Sequence, residues 1–214
     1  MVEAQHFVST LRLVDSLDEQ QILESLLEDT KPKVPADCQH LEYLLATPFR
    51  YGVYPGGSRF RRAGQTPGVL YAARKPATAA AEMAHYRMQF YRESPDTAPP
   101  SGTAHYTAFS MSLATPVAFD LTSPRLNQDA AKWTHPTDYG YCQALADQIR
   151  ETEGEIILST SVRDPEGGQN VNVLTCAAFS SPGIQAMQSW SIKVTASSAI
   201  AVCEFPRLSV ELAI

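Results

Sequence analysis

The sequence predicts an α+β domain with helices early in the chain and mostly antiparallel strands later. Three observations predict it: a capping signature and leucines at helical spacing before residue 50, short strand-like runs after residue 100, and one helical stretch, Thr137 to Glu153, between those runs. The chain has 214 residues, 44% hydrophobic and 19% charged, enough for one substantial core and too apolar for a wholly disordered chain. No internal repeat or low-complexity tract divides it, so 1–214 reads as a single domain, with a helical part at about 1–46 and an α/β core at about 47–214.

Ser16-Leu17-Asp18-Glu19 is a capping box that opens a helix over about 16–29, with Leu23, Leu26 and Leu27 on its inner face and Pro32 beyond its end. A second helix, from Asp37 to Ala46, turns Leu41, Leu44 and Leu45 inward and stops before Pro48. Thr47 to Gly68 holds three prolines and five glycines, so the arginines there sit on irregular backbone that can approach a ligand closely. Gly68 to Ala73 is a buried strand, and Pro76-Ala77-Thr78 starts a helix running from Ala79 to about Tyr91, with Glu82 near its first turn. Glu93 to Gly102 is a connector. Strands follow at Thr103 to Leu113 and Val117 to Leu121, then the helix Thr137 to Glu153 ended by Gly154, with Tyr141, Leu145, Ala146 and Ile149 on one face. Glu155 to Thr160, Asn170 to Cys176, Gln188 to Thr195 and Ala199 to Glu204 complete the strands.

Composition excludes several classes. The longest apolar runs, such as Val69 to Ala73, fall far short of the ~20 residues of a membrane helix. The start, Met1 to His6, lacks the basic and apolar stretches of a secretory leader, so a cytoplasmic location is expected. Cys38, Cys142, Cys176 and Cys203 lie far apart with no C-x-x-C pair, which predicts reduced, mostly buried thiols and neither a disulfide framework nor a zinc site. The net charge of -6 argues against direct nucleic-acid binding. It hides an asymmetry. From Tyr43 to Arg92 eight cations face one acid, Glu82, giving +7, while the other nine cations and 22 acids leave -13 elsewhere. Seven of the eight are arginines, whose planar fork suits a compact phosphate; the alternative is a solvated face balanced by acids elsewhere in the fold.

Three segments together resemble a known family: Leu44-Leu45-Ala46-Thr47-Pro48-Phe49-Arg50-Tyr51 running on to Gly57-Ser58-Arg59-Phe60-Arg61; Gly68-Val69-Leu70-Tyr71-Ala72-Ala73 with Thr78-Ala79-Ala80-Ala81-Glu82; and Ser161-Val162-Arg163-Asp164-Pro165 with Gly167, Gly168 and Asn170. This resembles the RES-domain family, named for an arginine, a glutamate and a serine, whose members are largely toxins of bacterial RES-Xre type II toxin-antitoxin pairs. The resemblance implies an ADP-ribosyltransferase-like fold of mixed, mostly antiparallel sheets with flanking helices, NAD+ as substrate and no metal. Carried over, Arg59, Tyr71, Glu82 and Ser161 are the catalytic set, and Arg50 and Tyr51, with Arg59 and Ser161, line the NAD+ pocket; Arg61 rivals Arg59 for the pyrophosphate.

The chemistry needs such residues. Cleaving the nicotinamide-ribose bond builds an oxocarbenium-like cation, so the site requires cations for the pyrophosphate, a flat surface such as Tyr71 for nicotinamide, and an anion such as Glu82 beside the ribose. Without the family, Tyr71 reads equally as core, Glu82 as a helix-dipole acid, and Arg50, Arg61, Arg62 and Arg163 as structural ion pairs. His85 shares a helix face with Glu82, a metal-like pair that lacks a third ligand, and His135 has no assigned mechanism. A serine hydrolase is excluded by the absence of G-x-S-x-G.

The resemblance therefore implies a toxin that cleaves NAD+ by glycohydrolysis or phosphorolysis and arrests growth. Mono-ADP-ribosylation of a host protein is the enzymatic alternative, and an inactive binding module of a regulatory complex is the non-enzymatic one. It also implies a cognate antitoxin, an Xre-like helix-turn-helix protein that carries any DNA contact, with room for a toxin homodimer in the complex.

Overall fold

The computed structural model describes residues 1–3, 7–195 and 197–213; Ala4, Gln5 and His6, part of the start read above for a leader, lie outside the described residues. Ser16 caps the first helix, α1 (Leu17–Asp29), by accepting the Glu19 N–H at 3.2 Å, and the Glu19 carboxylate accepts the Asp15 N–H at 2.8 Å. The expected inner leucines are not buried. Leu26 is 59% exposed and Leu27 42%, because α1 packs chiefly against the short 3-10 segment Phe7–Leu13 and not against the core.

The second helix also departs from expectation. A 3-10 turn (Ala36–Cys38) precedes α2 (Tyr43–Arg50), which starts later than predicted and continues through Pro48. A proline that far into a short helix costs one hydrogen bond, to the Leu44 carbonyl, while burial of Leu45, Ala46 and Phe49 holds the helix in place. Gly68 follows from this packing: a Cβ there would collide with the Pro48 carbonyl.

The remaining elements are β1 (Val2–Glu3), β2 (Leu70–Ala73), α3 (Pro76–Glu93), β3 (Ala104–Ser110), β4 (Ala118–Asp120), α4 (Ala130–Trp133), α5 (Gly140–Glu151), β5 (Ile156–Thr160), β6 (Gln169–Val173), β7 (Ala186–Val194), β8 (Ser198–Cys203) and β9 (Leu208–Ala213). They form two sheets, so the fold is α+β as predicted. One sheet has the order β1-β3-β7-β8-β9 and is antiparallel throughout. Its inner face receives the small side chains Ala80, Ala81 and Ala84 of α3, with Met88, against Tyr106, Trp190, Ile192 and Ala201. The other has the order β2-β6-β5-β4, antiparallel except for the parallel pair β4-β5. Leu45 and Phe49 of α2 pack with Leu70, Val171 and Val173 on one face of this sheet, and Cys142, Ala146 and Ile149 of α5 pack with Phe60 and Ile157 on the other. Strand β9 was not predicted, although Leu208, Val210 and Leu212 alternate with exposed residues. Among the described residues no helix is long and apolar enough to cross a membrane.

The cysteine expectation is corrected. Cys38 and Cys176 form a disulfide across 138 residues, with Cα atoms 5.3 Å apart, tying the turn before α2 to the turn after β6. Both belong to the core packed under α2, an adjacency that spacing in the chain does not reveal. Reduced, buried thiols describe only Cys142 and Cys203. Alkylation of the denatured, unreduced protein should therefore label two thiols and, after reduction, four; labelling of four at the outset would refute the bond.

Candidate active site

The strand register builds the floor of the site. Tyr71 on β2 lies opposite Asn172 on β6, which lies opposite Ile157 on β5; one step along, Ala73, Asn170 and Ser159 are aligned in the same way. Side chains alternate between faces, so Tyr71, Asn170, Asn172, Ile157 and Ser159 share one face while Leu70, Ala72, Val171 and Leu158 turn to the α2 side. Helix α3 follows β2 after two residues and carries Glu82 over that polar face. Glu82 sits in the second turn, further from the helix N-terminus than predicted.

One oxygen of Glu82 is fixed from two sides. Oε1 accepts the Ser161 hydroxyl at 2.6 Å and the Asn170 amide at 2.7 Å. Ser161 is 3% exposed, and its Oγ also accepts the N–H groups of Arg163 (3.2 Å) and Asp164 (3.0 Å). Its single O–H is thus directed at Glu82, not at a ligand. The turn it opens is bolted to α3: buried Thr78 donates to Asp164 Oδ2 at 2.7 Å, and the Gly168 N–H reaches the same oxygen at 3.2 Å. Gly168 has no room for a Cβ against Thr78 and Asp164, so this glycine closes the chain onto α3.

Tyr71 links floor and wall. Its hydroxyl accepts the Phe60 N–H at 3.1 Å and lies 2.6 Å from Ser58 Oγ, while its ring remains 41% exposed. Burial of the hydroxyl raises its pKa above the usual tyrosine value. This contact fixes the loop that carries the arginines. Arg59 Nη1 donates to the carbonyls of Trp133 (2.8 Å) and His135 (2.9 Å), and its guanidinium stacks 4.7 Å from the Tyr139 ring centre. Arg61 donates to the Gly56 carbonyl at 3.0 Å and stacks 5.1 Å from the Tyr54 ring centre, leaving its buried Nε without a partner among the described residues. Arg163 donates to the Pro136 carbonyl. All three border a cavity of about 620 Å³ whose walls include Tyr71, Glu82, Tyr86, Phe90, Tyr139 and Asn170.

Arg50 and Tyr51 are not among its walls, which corrects their expected place. Because α2 runs on past Pro48, Arg50 is carried inward, 7% exposed, where it binds the Glu28 carboxylate and the Pro32 carbonyl. Tyr51 lies at the end of that helix, 45% exposed. Arg62 is likewise occupied, by Asp147 at 2.6 Å. His135 acquires a structural part: its Nδ1 accepts the Asp138 N–H at 2.8 Å and its carbonyl holds Arg59. His85 borders the cavity, its pKa lowered by burial and by Arg163. The one cluster of three metal-ligand side chains among the described residues is Asp37, Cys38 and Cys176, which contains the disulfide and excludes both Glu82 and His85.

The RES domain matches residues 34–195, which include every cavity residue named above. The chain belongs to the RES-domain family. Comparison with curated proteins gives no match. The RES family is toxin-like and associated with enzymes that act on NAD. Within the RES site, the sequence reading missed the roles of Thr78, Tyr139, Asp164, Asn170 and Asn172. The legible signal was Gln169-Asn170-Val171-Asn172-Val173, where polar residues alternate with valines on a strand whose neighbours bury both faces.

The raised Tyr71 pKa carries a pH dependence. The folded state holds this proton more tightly than the unfolded chain, so the contribution is full below the ordinary tyrosine pKa and is lost as pH rises past about 10. Tyr71→Phe should cost about 1 kcal/mol near neutrality through the lost Phe60 and Ser58 contacts. Denaturant unfolding between pH 8 and 11 should show a shallower alkaline loss for the variant than for the parent; identical slopes would contradict the buried hydroxyl.

Proposed function

We propose that this RES protein cleaves the nicotinamide-ribose bond of NAD+, passing the ADP-ribosyl group to water or phosphate, and serves as the toxin of a toxin-antitoxin pair. The observation that carries this reading is Glu82, pinned through one oxygen and bordering a cavity that also holds three arginines. NAD+ couples an anionic pyrophosphate to a glycosidic bond whose rupture leaves positive charge on the ribose. Arg59 and Arg61 fit the pyrophosphate, because neither makes an ion pair among the described residues. The exposed faces of Tyr71, Tyr86 and Phe90 offer stacking surface for the nicotinamide and adenine rings. Glu82 Oε2, the oxygen not used by Ser161 and Asn170, would face the developing cation; preorganised charge of this kind is worth roughly 3 kcal/mol in the transition state. A cavity of about 620 Å³ lies within the usual range for ligand pockets of roughly 300–1,000 Å³.

A free enzyme of this kind would deplete its own cell, so the same proposal includes a cytoplasmic antitoxin of the helix-turn-helix type that covers the cavity. The deciding experiment is nicotinamide release from NAD+ by the purified protein, with and without phosphate. Glu82→Gln, which keeps the shape of the side chain, should lower release by about a hundredfold or more while leaving thermal unfolding within a few degrees. Phosphate dependence would identify phosphorolysis, and release that needs cell extract would identify a protein acceptor. No release under any of these conditions would refute the enzyme and leave a binding module.

A further inference from the structure

The clamp on Glu82 leaves one polar atom unexplained. Asn170 donates through Nδ2 to Glu82 Oε1 at 2.7 Å, and this fixes the amide orientation, since a carboxylate oxygen can only accept. Its carbonyl oxygen, Oδ1, is buried and has no hydrogen-bond partner among the described residues. Its neighbour Asn172 differs: that amide donates to the Ile157 carbonyl at 2.9 Å and to Ser159 Oγ at 3.1 Å, as a structural asparagine does. Leaving a buried acceptor unpaired is unfavourable, so one retained on a residue that borders a cavity calls for a donor that arrives with the ligand.

We infer that Asn170 is a substrate-binding residue: its Oδ1 accepts a hydrogen bond from one hydroxyl of the nicotinamide ribose while Glu82 Oε2 accepts from the other. The inference rests on the NAD+ reading and deepens it. A ribose presents two adjacent hydroxyl donors, and Glu82 and Asn170, which both border the cavity, offer two acceptors that share a single tether, the Nδ2-Oε1 bond. The tether holds them at a set spacing, so the site reads a cis-diol and discriminates against a sugar that lacks either hydroxyl. A hydrogen-bonding site generally rejects an analogue lacking the matching group far more strongly than an apolar pocket does.

The test compares nicotinamide release from NAD+ and from its 2′-deoxy and 3′-deoxy analogues on the nicotinamide ribose, for the parent protein, Asn170→Ala and Asn170→Ser. The parent should lose about tenfold or more in kcat/KM on each analogue. Each variant should lose a similar factor on NAD+ and little further on one of the two analogues, because the partner of Oδ1 is then already missing. Equal losses on all three substrates would overturn the inference and reduce Asn170 to a residue that positions Glu82. Should both variants fail to fold, the parent still decides: equal rates on NAD+ and both analogues would overturn the inference. Absence of nicotinamide release by the parent would instead refute the NAD+ reading, and this inference with it.

Discussion

The Glu82 carboxylate joins the two halves of the molecule. Helix α3 belongs to the core of the five-stranded sheet, through Ala80, Ala81, Ala84 and Met88, whereas Asn170 lies on β6 of the four-stranded sheet and Ser161 directly follows its strand β5. The two donors that meet on Oε1 therefore span the boundary between the sheets. Hydrogen bonds to a charged group contribute about 1.5–3 kcal/mol each, more than a neutral pair, and Thr78 to Asp164 adds a second crossing on the preceding turn of α3. The carboxylate that would meet the substrate through Oε2 is also the one that fixes α3 on the second sheet through Oε1, so stability and the proposed chemistry share one side chain.

That double use explains why Ser161 is a poor nucleophile. A serine that attacks needs a base to take its proton and an exposed oxygen. Glu82 could take the proton, but the lone pairs receive two backbone N–H groups and the residue is sealed from solvent, so the oxygen is not exposed to attack a substrate. Every contact instead narrows the positions open to Glu82. Preorganisation of this sort lowers a barrier only when the group that matters cannot relax away as charge develops, and two backbone N–H contacts on the serine that holds Glu82 supply that rigidity.

Much of the scaffold was legible in the sequence, because capping residues and apolar spacing act locally. The Ser16 cap, the start of α3 at Pro76 and the strands around Ile156 and Trp190 follow from that chemistry. Charge arithmetic also singled out Glu82 among the arginines. The errors arise where distant segments decide. Whether α1 buries its leucines depends on what lies against it, and the pairing of Cys38 with Cys176 depends on the turn after β6 reaching the one before α2. Arg50 was misplaced for the same reason: packing of Phe49 carried the helix through Pro48 and turned Arg50 toward Glu28. Asn170 stood in the quoted motif without a role, since its partner is 88 residues away in the chain.

The five arginines singled out in the sequence as site or ion-pair candidates divide into two groups by the oxygen that holds them. Arg50 and Arg62 are matched by carboxylates, those of Glu28 and Asp147, and their charge is neutralised where it sits. Arg59, Arg61 and Arg163 are held by carbonyl oxygens of Trp133, His135, Gly56 and Pro136. A carbonyl fixes the direction of a guanidinium without cancelling its charge, and stacking on Tyr139 and Tyr54 adds orientation at the same zero net charge. The positive charge of the three cavity arginines is therefore left un-neutralised, while that of Arg50 and Arg62 is cancelled locally. Charge kept un-neutralised in a semi-enclosed site strengthens its pull on an anion, since the low dielectric of the walls weakens screening. The same arrangement gives a protein of net charge -6 a local positive pocket of the size and sign that the proposed NAD+ substrate would need.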